Sequence, residues 1–341
     1  QHRNISCRKL SDLVLMSDLE HYAGIDIGAT NIKFGLVDGT GQILYREQKP
    51  AMVEKGAKPL LHLITNIAEN LLLRAAEEEL QINWLGVGSP GVVDNLRGVI
   101  KDRCPNIPGW EGTELGAYLK EHLNTDVYID NDANAMALGE LRFGAGRRFN
   151  SAICITVGSG IGGGIIIDRQ LWRGSTFSAG EIGHIVIDYN GPQCRCGNWG
   201  CLEVFCSSSA LIERAKNKFK NGLSEILNDV LDGSEENLNV KKLFAAAKKG
   251  DEMALKAIEE TATILGAGLS GVVNLFNPEA LILGGGIVDG GAGFIEAVGA
   301  EVRRRAYPKS VENLRILKAE LGNDAGFIGA GLLGEYKSRR G

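Results

Sequence analysis

Three cysteines and a histidine carry the most specific chemical signal in the chain. Cys194, Cys196 and Cys201 fall within eight residues, and His184 lies ten residues before the first of them. Three thiolates and one imidazole make a tetrahedral Cys3His set for zinc. Such a set is closed, with no position left for water, so the ion would be structural. Gly197 and Gly200 would let the loop curl around it. The alternative is free or redox-active thiols, but no C-x-x-C pair is present. Glu181 and Glu203 flank the set. With His184 they gather acceptors and donors around one point, which suits the hydroxyls of a sugar; taken singly, each would be a surface carboxylate.

Asn131-Asp132-Ala133-Asn134 follows an apolar stretch at 127–129 and opens an Ala- and Leu-rich stretch at 134–141. Asn and Asp are favoured helix N-caps, and an aspartate at the end of a strand also suits a general base. Both readings hold if Asn131 caps the helix and Asp132 does chemistry. Gly158-Ser159-Gly160-Ile161-Gly162-Gly163 contains G-x-G-x-x-G. As a dinucleotide fingerprint it would need a helix to follow, whereas Ile165-Ile166-Ile167-Asp168 reads as a strand. What remains is a glycine hairpin that either faces a phosphate with its backbone N–H groups or only reverses the chain. No G-x-x-x-x-G-K-[ST] is present. Asp26-Ile27-Gly28-Ala29-Thr30-Asn31 is the matching turn in the first half, with a carboxylate able to hold Mg²⁺ through waters. Lys33 either reaches the phosphates or is solvated. A third glycine cluster, Gly284-Gly285-Gly286, ends a strand, the usual ligand position in α/β sheets.

These residues need a repeated scaffold. Of 341 residues, 46 are glycine, about twice the average share. Two glycine clusters belong to a repeat: Asp26, Gly28 and Asp38 recur as Thr156, Gly158 and Asp168, each 130 residues on. Each stretch reads as strand, glycine turn, strand and polar turn. This predicts two related α/β domains, each opening with a β-hairpin. Helices are expected at 59–80, 113–123, 134–141, 240–249, 251–276 and 325–338, and strands at 85–87, 127–129 and 279–283. The polar stretch 217–238 reads as a surface insertion or a helix-loop segment. The expected division is a disordered extension at 1–19, a small domain at 20–130 plus 325–341, and a large domain at 131–324 holding the zinc loop.

Composition excludes several classes. Hydrophobic residues make up 44% and charged residues 23%, with a net charge of −5. That is ordinary globular composition without the basic footprint of nucleic-acid binding. No apolar run reaches the ~20 residues of a membrane span, and 10–16 is too short and too acidic for a signal-peptide core. Seven cysteines in a chain this long do not make a secreted disulfide scaffold, so a reducing cytoplasm is expected. Cys7, Cys104, Cys154 and Cys206 read as ordinary thiols.

Together these stretches resemble the ROK family of sugar kinases, within the hexokinase/actin-like superfamily. The resemblance runs from about residue 20 to the C-terminus. It rests on Asp26-Ile27-Gly28-Ala29-Thr30, Gly88-Ser89-Pro90-Gly91, Asn131-Asp132-Ala133-Asn134, Glu181-Ile182-Gly183-His184, the cysteine loop through Glu203, and Leu283-Gly284-Gly285-Gly286. The family's zinc pattern C-x-C-G-x-x-G-C-x-E is met at every position from Cys194 to Glu203. Ala29, where many members have glycine, and Ser159, where threonine is commoner, depart from the pattern but stay small.

The resemblance implies two actin-like (ribonuclease H-like) ATPase domains with a cleft between them. It implies transfer of the γ-phosphate of Mg·ATP to a hexose, usually at the 6-hydroxyl. By position, Asp132 is implied as the base; Ser89, Gly91, Asn131, Asp132, Glu181, His184 and Glu203 as the sugar site; and His184, Cys194, Cys196 and Cys201 as the zinc ligands. Asp26, Gly28, Ala29, Thr30, Asn31, Lys33, Thr156, Gly158, Ser159 and Gly285 are implied to line the nucleotide and phosphate site. The expected partners are hexose and ATP, with a homodimer or higher homo-oligomer and no nucleic acid or membrane. Asn106-Ile107-Pro108-Gly109-Trp110 and Glu-Ile-Gly-His are similar to the glucokinase branch. N-acetylmannosamine and N-acetylglucosamine kinases share the zinc loop and stay as alternatives. The readings of another class are a ROK-type repressor, whose DNA-binding domain would precede the first strand, and a non-catalytic sugar binder.

Overall fold

The computed structural model describes residues 20–102, 104–219 and 222–337. The extension expected at 1–19 lies outside them. The chain forms two compact units. One takes residues up to 147, 173–179 and those from 323 onward; the other takes 148–172 and 180–322.

Each unit is built on a five-stranded sheet of the same topology. In the first, the order is Ile43–Pro50, Asn31–Asp38, His21–Ile27, Ile82–Ser89 and Asp126–Asn131. In the second, it is Gln170–Leu171, Ile161–Ile167, Ala152–Val157, Ala280–Gly284 and Arg315–Lys318. In both, the first three strands run antiparallel and the last two join in parallel. The repeat is therefore structural: the opening strands end at Ile27 and Val157, and the next begin at Asn31 and Ile161. The turns themselves differ. The Gly28 N–H donates to the Asn31 carbonyl at 3.1 Å, whereas the Gly158 N–H donates to the Gly160 carbonyl at 2.9 Å. The second hairpin is tighter by one residue.

Helical periodicity explains the helices that pack these sheets. Ala57–Glu77 buries Leu60, Ile64, Ile67, Ala68 and Leu71 on one face. Glu252–Phe276 is capped by Asp251, whose carboxylate accepts the Ala254 N–H at 2.7 Å. The stretch 217–238 is not a plain surface insertion. It holds the helix Glu225–Val230, and Phe219, Leu227, Leu231 and Leu238 are buried in the second core. Leu223, Ile226, Leu227, Val230 and Leu231 recur at helical spacing and form the core face of this segment. The final helix is broken at Leu332 into Ala325–Gly331 and Leu333–Lys337. Among the described residues, no helix is long and apolar enough to cross a membrane.

The first unit extends beyond the expected boundary at 130, because the helix Asp132–Phe143 packs on Ala325–Gly331. That packing is backbone against backbone. A Cβ on Gly329 would overlap the Ala135 carbonyl, and one on Gly86 would overlap the Ala330 carbonyl. Gly329→Ala is therefore expected to lower stability by about 2 kcal/mol or more. Gly271→Ala, on an exposed helical position with open space around it, is expected to be neutral or stabilising by roughly 0.5–1 kcal/mol. Chemical denaturation of the two variants checks both.

Candidate functional site

In the first unit the site is assembled by strand register. Asp26 pairs with Gly88, and Gly88 with Asp130, across three neighbouring strands. All three positions lie at the carboxyl ends of parallel strands, where α/β sheets bind ligands. The next two residues turn into a helix. Asn131 is the N-cap, its side chain accepting from the Ala133 N–H at 2.9 Å and the Asn134 N–H at 3.2 Å. Its amide donates to the Gly91 carbonyl at 3.1 Å. Asp132 is the first helical residue, half-buried, and its carboxylate also accepts the Ala133 N–H at 2.8 Å. Asn131 is thus the cap, as expected, and Asp132 stands one residue inside the helix.

Ser89 is fully buried and its hydroxyl is engaged within the protein. It accepts from the Trp110 indole at 3.1 Å and donates to the Pro90 carbonyl at 3.1 Å. It ties the Trp110 segment to the strand end behind Asn131.

Asp26 lies between Gly88 and the start of the helix Ala325–Gly331, where a Cβ on Gly326 would overlap its carboxylate. Burial pushes its carboxyl up to about 6, against the opposing pull of Lys33. A desolvated carboxylate so weakly compensated fits a nearby divalent cation. Lys33 itself donates to the Asn323 carbonyl at 3.0 Å. Beside Asp26, the turn presents Ala29 and Thr30 to solvent, with Gly28 and Asn31 less exposed.

In the second unit, Thr156 pairs with Gly284, and Gly285 packs on the adjoining Val157. Gly285 has φ 95°, and a Cβ there would come within 2.6 Å of the Val157 carbonyl oxygen. Thr156, Gly158, Ser159 and Gly285 are thereby gathered at one end of this sheet. Glu203 reaches the same turn: its carboxylate accepts the Ile161 N–H at 2.9 Å. The Ser208 N–H donates to the Gly158 carbonyl at 2.7 Å.

Glu203 follows the cysteine loop directly. His184, Cys194, Cys196 and Cys201 offer ligand atoms that all lie within 4.8 Å of one another. The Cys196 and Cys201 sulfurs are 3.7 Å apart, as are the Cys194 sulfur and His184 Nδ1. A tetrahedron of ~2.3 Å zinc–sulfur bonds has edges of about 3.8 Å, so these residues fit zinc. Gly197 and Gly200 both take positive φ, 93° and 66°, as the loop's curl requires. Burial pushes the Cys201 thiol up to about 12, and the neighbouring cysteines add to the rise. The two nitrogens of His184 face different ways. Nδ1 meets Cys194, and Nε2 lies 3.8 Å from the Glu181 carboxylate. One imidazole can thus serve the metal with one nitrogen and a ligand with the other.

Two residues escaped sequence reasoning. Asp130 and Arg173 form a buried ion pair, Nε to Oδ2 at 2.6 Å, with side-chain exposures of 1% and 8%. They are separated by 43 residues and share no local pattern.

A family model described as the ROK family matches residues 22–336. The chain belongs to the ROK family. Among ROK relatives, a glucokinase of Thermotoga maritima is 35% identical over 90% of this chain and 95% of its own length. A xylose repressor of Caldicellulosiruptor bescii is 32% identical over 93% of this chain and 78% of its own length. The crystal structure of a ROK family glucokinase from Streptomyces griseus in complex with glucose and AMPPNP is 35% identical. It superposes with a TM-score of 0.81 over 92% of this chain and 98% of that one. The fold is that of ROK glucokinases, two actin-like α/β domains.

The Cys3His geometry predicts about one zinc per purified chain by elemental analysis. Cys201→Ser should lose the ion and, because Glu203 follows at once, loosen the Gly158–Gly160 turn. A fully active chain after chelation, with no metal detected, would contradict this.

Proposed function

We propose that this chain is an ATP-dependent hexose kinase that phosphorylates the 6-hydroxyl, with glucose as its foremost substrate. The observation that carries the reading is the placement of Asp132. It stands at the carboxyl end of the first sheet, behind a cap supplied by a different residue and across Gly88 from Asp26.

The residues divide the work in a way the chemistry accounts for. Phosphoryl transfer needs positioning and charge stabilisation more than covalent help. Asn131 and Gly91, with Glu181, His184 Nε2 and Glu203, supply donors and acceptors for the sugar hydroxyls. Asp132 accepts the proton of the attacking hydroxyl as its oxygen bonds to phosphorus. The glycine turns at Gly28–Thr30 and Gly158–Ser159 offer backbone N–H groups to phosphate oxygens, and Gly285 leaves room for the nucleoside. Magnesium, when bound beside Asp26, supplies charge neutralisation to the phosphates. Zinc, held by His184, Cys194, Cys196 and Cys201, fixes the loop that presents Glu203 and orients the imidazole of His184.

Support for glucose comes from the glucokinase relatives and from Asn106-Ile107-Pro108-Gly109-Trp110. N-acetylmannosamine and N-acetylglucosamine are the competing sugars. A second reading, a sugar-responsive repressor, is favoured by the xylose repressor at 32% identity.

ADP release over a panel of hexoses and N-acetylhexosamines separates these. Glucose is expected to give the highest kcat/KM. Asp132→Asn should lower kcat by about 10³-fold or more while leaving sugar binding within a few-fold. Preference for another sugar would move the substrate, and near-native turnover by Asp132→Asn would refute the base. Hexose binding without ADP release from the unaltered chain would favour the repressor reading.

A further inference from the structure

We propose that Asp130 and Arg173 form a positioning pair that sets the pose of Asn131 and Asp132. The proposal rests on the kinase reading for its turnover readout, but its structural basis is independent.

Asp130 is bonded on both carboxylate oxygens. Oδ2 accepts from Arg173 Nε at 2.6 Å. Oδ1 accepts the Asn131 N–H at 2.8 Å and the Asn134 side-chain amide at 2.9 Å. These last two partners bracket Asp132 in the chain. Rotation of the Asp130 carboxylate would therefore disturb the residues on both sides of the base, at the point where strand turns into helix.

Arg173 belongs to a short excursion, 173–179, that joins the first unit between two stretches of the second. Its carbonyl accepts the Ala179 N–H at 3.1 Å, closing the excursion into a loop. The chain then passes through Gly180 to Glu181, Ile182 and His184. One guanidinium thus ties the excursion 173–179 to the strand that leads into Asn131 and Asp132.

Stability alone is a poor reason for such a pair. Desolvating two charges offsets most of their attraction, and neutral residues of similar volume often serve the fold as well. A neutral pair does not reproduce the short charge-assisted bond, which fixes direction as well as distance. Arg173 does not touch the reacting atoms in this account; it acts through Asp130.

Three variants of the full-length protein test this: Arg173→Met, Arg173→Lys and the neutral double variant Asp130→Asn/Arg173→Met. Arg173→Met should fall in melting temperature, because it strands a buried carboxylate, and the double variant should recover most of that fall. Turnover should not follow. A displacement of about 1 Å at the reacting groups costs about 100-fold, so kcat should stay depressed roughly 10- to 100-fold in both, with KM for ATP nearly unchanged. Arg173→Lys, which keeps the charge, should regain part of the loss. A double variant that recovers kcat together with melting temperature would overturn the proposal, as would a folded Arg173→Met with unchanged kcat.

Hexose affinity by calorimetry keeps this apart from the kinase reading. An unaltered chain that binds hexose but releases no ADP would refute the kinase, while a weaker hexose affinity in the stable double variant would still support the pair. In a chain that releases no ADP, unchanged affinity in the double variant would overturn it.

Discussion

The first unit depends on a helix pressed directly onto sheet backbone. Every residue of Ala325–Gly331 is buried. It meets the strands at Gly24 and Gly86 and the helix Asp132–Phe143 at Gly139 and Gly329, positions where no side chain fits. This contact brings the end of the chain back to its beginning. It also sets the Asp26 carboxylate against Gly326 and docks the helix that starts with Asp132. Strand register sets the two carboxylates side by side, and this contact packs the segments that carry them.

The second unit solves a similar problem with a loop of cysteines. Its glycine turn has too little side chain to hold itself. Glu203 supplies the missing bond to the turn, and Glu203 is placed by the loop of Cys194, Cys196 and Cys201. In the proposed function, an ion held by this loop would act on turnover without touching the reactants, because loop shape, carboxylate position and turn geometry form one chain of contacts. His184 joins this chain at the other end, with one nitrogen on the cysteines and the other toward Glu181.

Much of this was legible because it is local. The cysteine loop, the Asn131 cap and the two glycine hairpins each declare themselves within a dozen residues, and the repeat shows as an offset of 130 positions. The opening hairpin of each sheet follows from that repeat. What stayed hidden depends on distance or on weak patterning. The strand Ile43–Pro50 is an exposed edge with mostly polar residues, and Arg315–Lys318 is only four residues long. The unit boundary near 147 follows from glycine contacts between segments almost 200 residues apart. Asp130 and Arg173 have meaning only as a pair. At the candidate site, therefore, the residues proposed to meet ligand were readable, whereas the groups that hold them were not.

In the proposed function this chain is a phosphotransferase acting on one hydroxyl of a hexose. Proton-detected phosphorus NMR of a reaction with glucose and Mg·ATP tests it most directly, because it reports which carbon carries the new ester. The account predicts a phosphomonoester coupled to the protons on carbon 6, appearing in step with ADP. An ester at another carbon, or ADP with inorganic phosphate and no sugar ester, would contradict it.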